Sequence, residues 1–131
     1  MARKRTTEVA VARVDALILL VRGERVILDS DLASIYGVST KRLNEQVKRN
    51  SKRFPRDFCF RLSTREIPEV RSQFLTGLLR RVSMRSQIAT ASRRNFRFLP
   101  YAYTEHGAIM AANILNSPHA VKMSVFVVRA F

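Results

Sequence analysis

Apolar residues first gather in two dense runs, residues 17–21 and 26–28, with Arg22-Gly23-Glu24-Arg25 between them. Short apolar runs bounded by a turn signal read as strands. Glycine placed first in a two-residue loop is the preference of a type II′ hairpin, and the spacing predicts Gly23 in that place. Neither run has a polar face, so the hairpin is expected to be sandwiched between other layers. The period then lengthens. Leu32, Ala33, Ile35 and Tyr36 make a helical stripe that Asp29 or Ser30 can cap. Gly37 follows where a helix ends and the chain must take a positive φ. Ser39 offers a second N-cap, and Leu43 and Val47, four apart, form the seam of a second helix. Small Ala33, Gly37 at the turn, Val38 and Leu43 match the packing needs of a helix-turn-helix. One position departs from that pattern: three residues after Leu43, where the last apolar residue belongs, the chain has Gln46. An ordinary helical hairpin with a solvated outer face is the other reading.

Residues 51–56 form a cationic linker ending in Phe54-Pro55, and proline stops any helix from running on. Residues 57–62 alternate, with Phe58, Phe60 and Leu62 on one face and Cys59 and Arg61 on the other, which predicts a third strand. Ser63-Thr64-Arg65-Glu66 has the form of a capping box, whereas Pro68 suits the first position of a helix. Either start leads into a helix through Val70, Phe74 and Leu78. A short strand is expected over residues 96–99. Thr104 caps the next helix, with Glu105 in its first turn and an apolar body over residues 108–115. Asn116-Ser117-Pro118 stops that helix and starts the last one, residues 120–131, with Ser117 as cap and Pro118 in the first position. The last helix carries Val121, Met123, Val125, Phe126, Val127 and Val128, an apolar circumference that belongs to a core or a subunit interface.

These elements predict an α+β fold: a small antiparallel sheet, made of the hairpin plus a third strand, packed by about five helices that include the helix-turn-helix-like pair. Residues 1–16 read as a basic, partly disordered leader and residues 17–131 as the domain. Charge then narrows the possible partners. Lys and Arg total 24 against 10 for Asp and Glu, a net of +14. Such an excess repels itself unless a polyanion answers it, which points first to nucleic acid. Arginine dominates the cations, which favours bidentate contacts to phosphate and guanine. The stretch from Arg71 to Arg97 holds seven arginines and no acid. One cysteine excludes an intramolecular disulfide, and no apolar run is long enough for a membrane span, so a cytoplasmic protein is expected.

No convincing catalytic set is present. His106 and His119 lie on different helices, without a cysteine or carboxylate at metal-ligand spacing. Cys59 alternates with core phenylalanines and reads as a half-buried strand residue, not a nucleophile. Glu66 and Glu69, one helical turn apart among arginines, read as salt-bridge partners. Neither metal, cofactor nor small-molecule substrate is expected. Binding chemistry is richer. With Leu43 and Val47 inward, steps of about 100° place Lys41, Glu45, Lys48 and Arg49 on the opposite face, Arg42 beside them, and Asn44 and Gln46 on the flanks. A helix in a major groove needs cations for phosphates and forked amides or guanidinium for base edges. Candidate DNA contacts on this helix are therefore Thr40, Lys41, Arg42, Asn44, Glu45, Gln46, Lys48 and Arg49. Lys52 and Arg53 extend that surface, and Arg80, Arg81, Arg85, Arg93, Arg94 and Arg97 form a second one directed at phosphates.

Several stretches together resemble one family. Residues 22–33, then Tyr36-Gly37-Val38, residues 41–50, Arg53-Phe54-Pro55-Arg56-Asp57-Phe58, residues 99–107 and Arg129-Ala130-Phe131 are similar to the ORF-six N-terminal domain, a phage and bacterial module related to KilA-N and Bro-N domains. The resemblance implies a DNA-binding domain of mobile elements and their regulators, with no enzyme chemistry. Two departures stand out. Residues 77–92 look partly like an insertion, and Ala91-Ser92 stand where a glycine pair often precedes the paired arginines. Members commonly run on past the Arg-Ala-Phe, so the resemblance also implies an N-terminal piece of a longer regulator. The expected function is duplex DNA binding in phage or mobile-element regulation, with homodimerisation through the last helix. A protein-interaction module of antirepressor type is the alternative, and RNA binding ranks third, since no strand shows the exposed aromatic pair that base stacking on a sheet wants.

Overall fold

The computed structural model describes residues 11, 13–81, 96 and 98–131. Strands β1 (Leu19–Val21), β2 (Glu24–Leu28), β3 (Cys59–Arg61) and β4 (Tyr101–Tyr103) form one antiparallel sheet in the order β1-β2-β4-β3. Helices α1 (Asp29–Tyr36), α2 (Thr40–Arg49), α4 (Glu105–Leu115) and α5 (Pro118–Ala130) cover one face, and α3 (Ile67–Arg81) covers the other. The fold is α+β, as the residue pattern predicts.

Side-chain alternation explains the two layers. Val26 and Leu28 of β2 and Ala102 of β4 pack under α3 with Val70 and Phe74. Ile27 and Tyr103 point the other way, into a core shared with Leu32, Tyr36, Leu43 and Val127. Phe60 and Leu62 join the α3 side while Cys59 packs on the opposite one, as predicted, but the strand is only Cys59–Arg61, and Phe58 precedes it and stacks on His106 of α4 instead of sharing the Phe60 face. β2 is therefore sandwiched as expected. β1 is covered on one face only, since Leu20 is 58% exposed between buried Leu19 and Val21.

Several local expectations shift by a residue or two. The hairpin loop is Arg22-Gly23, closed by the pair Val21 and Glu24. Both loop residues have positive φ, 54° and 77°, so glycine stands second and the turn has the character of type I′, not II′. The unusual φ at Arg22 is stabilised from afar. Its guanidinium donates to both carboxylate oxygens of Glu66 at 2.9 Å and lies over the Phe60 ring. The N-cap of α1 is Leu28, with no side-chain cap bond, and Asp29 is the first helical residue. The fourth strand is Tyr101–Tyr103 rather than residues 96–99: Phe96 and Phe98 lie outside any strand. It also separates β2 from β3, which the predicted three-strand sheet would have left adjacent.

The remaining signals are realised. Gly37 ends α1 at φ 73°, Ser39 caps α2 through Arg42 N–H, and Ser117 caps α5 with Pro118 in its first turn. Both proposed starts of the third helix occur in sequence. The Ser63–Glu66 capping box closes a 3-10 turn, Thr64–Glu66, that runs into α3 at Ile67-Pro68. On the exposed edge of β1, the Gln73 side chain accepts from Leu20 N–H at 2.7 Å and donates to Leu20 C=O at 2.8 Å. Packing also reaches back before residue 17, because Val14 is buried in the larger core and Val11 leans on it.

The Arg22 guanidinium holds the Glu66 carboxyl down at about 2, well below the usual carboxylate range. A depressed folded value means that the stability is present above the unfolded value and is lost as pH falls through the folded one. Glu66→Gln keeps the capping acceptor but removes the charge. It is expected to lower the urea midpoint at pH 7 and to lose most of that effect as the pH falls to about 2. An equal loss at both pH values would remove the ion pair as the cause.

Candidate nucleic-acid interface

Helix α2 is held by Leu43, fully buried, and by half-buried Val47, while the Ser51–Arg53 turn continues it. Phe54 anchors that turn edge-on against Tyr103, with ring centroids 6.3 Å apart. With this seam inward, Lys41, Arg42, Glu45, Lys48 and Arg49 are exposed, as are Lys52 and Arg53. Among the described residues none of these six cations is in an ion pair. The helix also ends in Lys48 and Arg49, favourably placed against its C-terminal dipole. Thr40 and Gln46 are half-buried at the margins.

Asn44 behaves differently from the residues around it. Its Nδ2 donates at 3.2 Å to Oδ2 of Asp29, a nearly buried carboxylate. The same oxygen accepts from Tyr101 N–H at 3.3 Å, and Asp29 Oδ1 accepts from Ser30 N–H. Asp29 thus ties the start of α1, the middle of α2 and strand β4 together. The expected base-reading amide is engaged inside the protein. Asn44→Ala should therefore lower stability by about 1–3 kcal/mol, by leaving the buried carboxylate short of a donor. Chemical denaturation checks this, and an unchanged midpoint would show that Asp29 does not need the amide.

Between α2 and the sheet lies a cleft of about 590 Å³, bordered by Lys41, Asn44 and Lys48 above and by Phe54, Cys59 and Tyr103 below. Burial pushes the Cys59 thiol up to about 12, so it stays protonated at neutral pH and is a poor nucleophile. A smaller hollow of about 350 Å³ lies on the other side of Asn44, against Phe98 and Arg61. Among the described residues no group of three or more His, Cys, Asp or Glu could hold a metal, and no helix is long and apolar enough to cross a membrane.

The strand β4 to α4 junction sets the geometry behind this face. Thr104 N–H donates to Phe58 C=O at 3.0 Å, its hydroxyl donates to Asp57 C=O at 2.7 Å, and the same hydroxyl caps α4. Gly107 follows in the first turn of α4, so close to Phe58 that an added Cβ would stand 1.8 Å from the Phe58 carbonyl oxygen. His106 stacks on the Phe58 ring at 5.5 Å. The helical pair, the Arg-Phe-Pro corner and the Pro-Tyr-Ala-Tyr-Thr-Glu-His-Gly segment are thus parts of one packed unit. The ORF6N domain model matches residues 16–114. The chain belongs to the ORF6N domain family. No curated protein and no solved structure matches the chain.

Within the ORF6N domain, the first group of predicted contacts comes together on α2 and its following turn, Asn44 excepted. Arg80 and Arg81 fall in the last turn of α3, which packs on the opposite face of the sheet. Arg85, Arg93, Arg94 and Arg97 lie outside the described residues. Sequence reasoning passed over Asp29 as anything but a cap, and it missed Tyr101 and Tyr103 as cleft residues. The only available signal was the match of residues 99–107 to the family.

Proposed function

We propose that this ORF6N domain binds duplex DNA, with the outer face of α2 and the Ser51–Arg53 turn against the phosphates and groove. One observation carries the reading: Lys41, Arg42, Lys48, Arg49, Lys52 and Arg53 are all exposed on one continuous helix and turn, and none of them is in an ion pair among the described residues. A chain with a net charge of +14 that leaves its cations open in this way is suited to a polyanion. Family membership supports a role in phage or mobile-element regulation. Lys41, Arg42 and Glu45 then face base edges from the N-terminal half of α2, and the C-terminal cations hold phosphates. A salt-titrated gel shift with duplex DNA, single-stranded DNA and RNA tests the reading. Affinity for duplex that is indifferent to salt would remove nucleic acid as the partner.

A second feature supports self-association. Val121, Val125 and Val128 form one stripe along α5 and stand 51%, 47% and 44% exposed, while Ala120, Val127 and Ala130 fill the core side. The reading is a homodimer through that stripe. Light scattering at concentrations on the order of tens of micromolar should give a dimer mass, and Val125→Glu should give a monomer. A wild-type monomer under those conditions would end the dimer reading.

A further inference from the structure

Beneath the wall of the cleft between α2 and the sheet lie two polar atoms that the fold leaves unsatisfied. Asn44 Oδ1 and the Tyr103 hydroxyl are both buried and have no hydrogen-bond partner among the described residues. The orientation of the Asn44 amide is set by Asp29, whose carboxylate can only accept, so the oxygen is the atom left over. The Cys59 thiol lies beside the Tyr103 hydroxyl, but it is a weak partner and is not placed for a hydrogen bond. Buried polar groups are almost always paired, so two orphans on one cleft call for a ligand that supplies both partners. One orphan can only accept; the other can donate or accept.

The rest of the cleft narrows the ligand further. At about 590 Å³ it falls within the roughly 300–1,000 Å³ typical of small-molecule sites. Its lower wall is ring and thiol surface from Phe54 and Cys59, with fully buried Tyr103 behind them, suited to a flat, partly apolar body. Tyr101 borders it 37% exposed, with the Arg61 guanidinium over its ring at 5.7 Å. Lys41 and Lys48 stand exposed at its upper rim, two turns apart on the same side of α2, where an anionic group would meet them.

We propose that this cleft binds a nucleotide, with an N–H on the edge of the base donating to Asn44 Oδ1, the Tyr103 hydroxyl on a second base atom, and the phosphate between Lys41 and Lys48. Such a nucleotide can be free in solution or can be an unpaired residue of a strand. Every common base presents an N–H, so the cleft recognises the class more than one member of it. The site shares Lys41 and Lys48 with the duplex reading, but its two distinguishing atoms lie beneath α2 and not on the outer face, so Tyr103 separates the two.

The test is calorimetric titration of the folded domain with the four common ribonucleoside monophosphates, with adenosine, with inorganic phosphate and with a short unpaired oligonucleotide. A mononucleotide is expected to saturate at one per chain, with adenosine weaker and inorganic phosphate silent. Tyr103→Phe removes a hydroxyl that has no protein partner, so thermal stability should be unchanged or raised while nucleotide affinity falls about tenfold. Lys48→Gln should weaken a nucleotide and leave adenosine unaltered. Binding of the oligonucleotide alone, still sensitive to Tyr103→Phe, assigns the site to an unpaired strand. No saturable binding of any mononucleotide or of the oligonucleotide overturns the proposal, as does binding that folded Tyr103→Phe leaves unchanged. Duplex affinity measured on the same variant should not move, so each reading can fail without the other.

Discussion

Replacing Gly107 with alanine is expected to unfold the domain. The residue has no unusual φ, so conformational freedom is not the reason. The reason is space: a Cβ there would sit 1.8 Å from Phe58 C=O and 2.7 Å from its carbon. Backbone cannot rotate out of the way as a side-chain tip can, and the same carbonyl is held by Thr104 N–H. Relieving the clash means moving α4 away from the residue-58 turn, which breaks the Thr104 bonds and opens the packing beneath Tyr103. A cost above about 3 kcal/mol is expected, at the upper end for overpacking and a large part of a small domain's stability. Gly23 is the contrast. It has a φ of 77° and nothing within 4 Å of an added Cβ, so Gly23→Ala should cost only about 1–2 kcal/mol of left-handed strain. Urea denaturation of the two variants decides it, and a Gly107→Ala midpoint near wild type would mean that α4 can shift freely.

The second large effect is electrostatic. If each of the six open cations on α2 and its turn neutralises one phosphate, the log–log salt slope is about −5.4, and affinity falls on the order of 10³-fold between 50 and 200 mM salt. Replacing Lys48, Arg49, Lys52 and Arg53 together with alanine should flatten the slope by roughly 3.6 and weaken specific and random duplex alike. All four are exposed, so the fold should persist. A slope unchanged in the quadruple variant would move the phosphate contacts away from α2.

What could be read in the linear order was local. Gly37, Ser39, Thr104 and Ser117 act within a turn of their own position, and the alternation of Cys59, Phe60 and Arg61 needs no distant partner to be seen. Strand β4 was not legible on those terms. It is three residues long, follows a proline, and has alanine, a weak strand former, at its centre. Its strand character comes from lying between β2 and β3, with Ala102 opposite Leu28 and Phe60. Missing β4 hid everything that depends on it. Asn44 read as an outward amide because Asp29 and Tyr101, fifteen residues before it and far after it, could not be placed beside it. The cleft was hidden for the same reason. The hairpin register failed differently: Arg22 tolerates its positive φ with help from Glu66, a residue 44 positions away.

The amide of Gln73 bears on how this molecule avoids unwanted company. Strand β1 ends the sheet, and an unpaired outer strand is a template on which another chain can extend it, the first step toward domain swapping or fibrils. Leu20, its central residue, would present both a free N–H and a free C=O beside an exposed aliphatic side chain. The Gln73 side chain, reaching from α3, takes both groups and so stands in for the missing neighbour strand. Pairing of another chain along β1 is thereby blocked at its central residue.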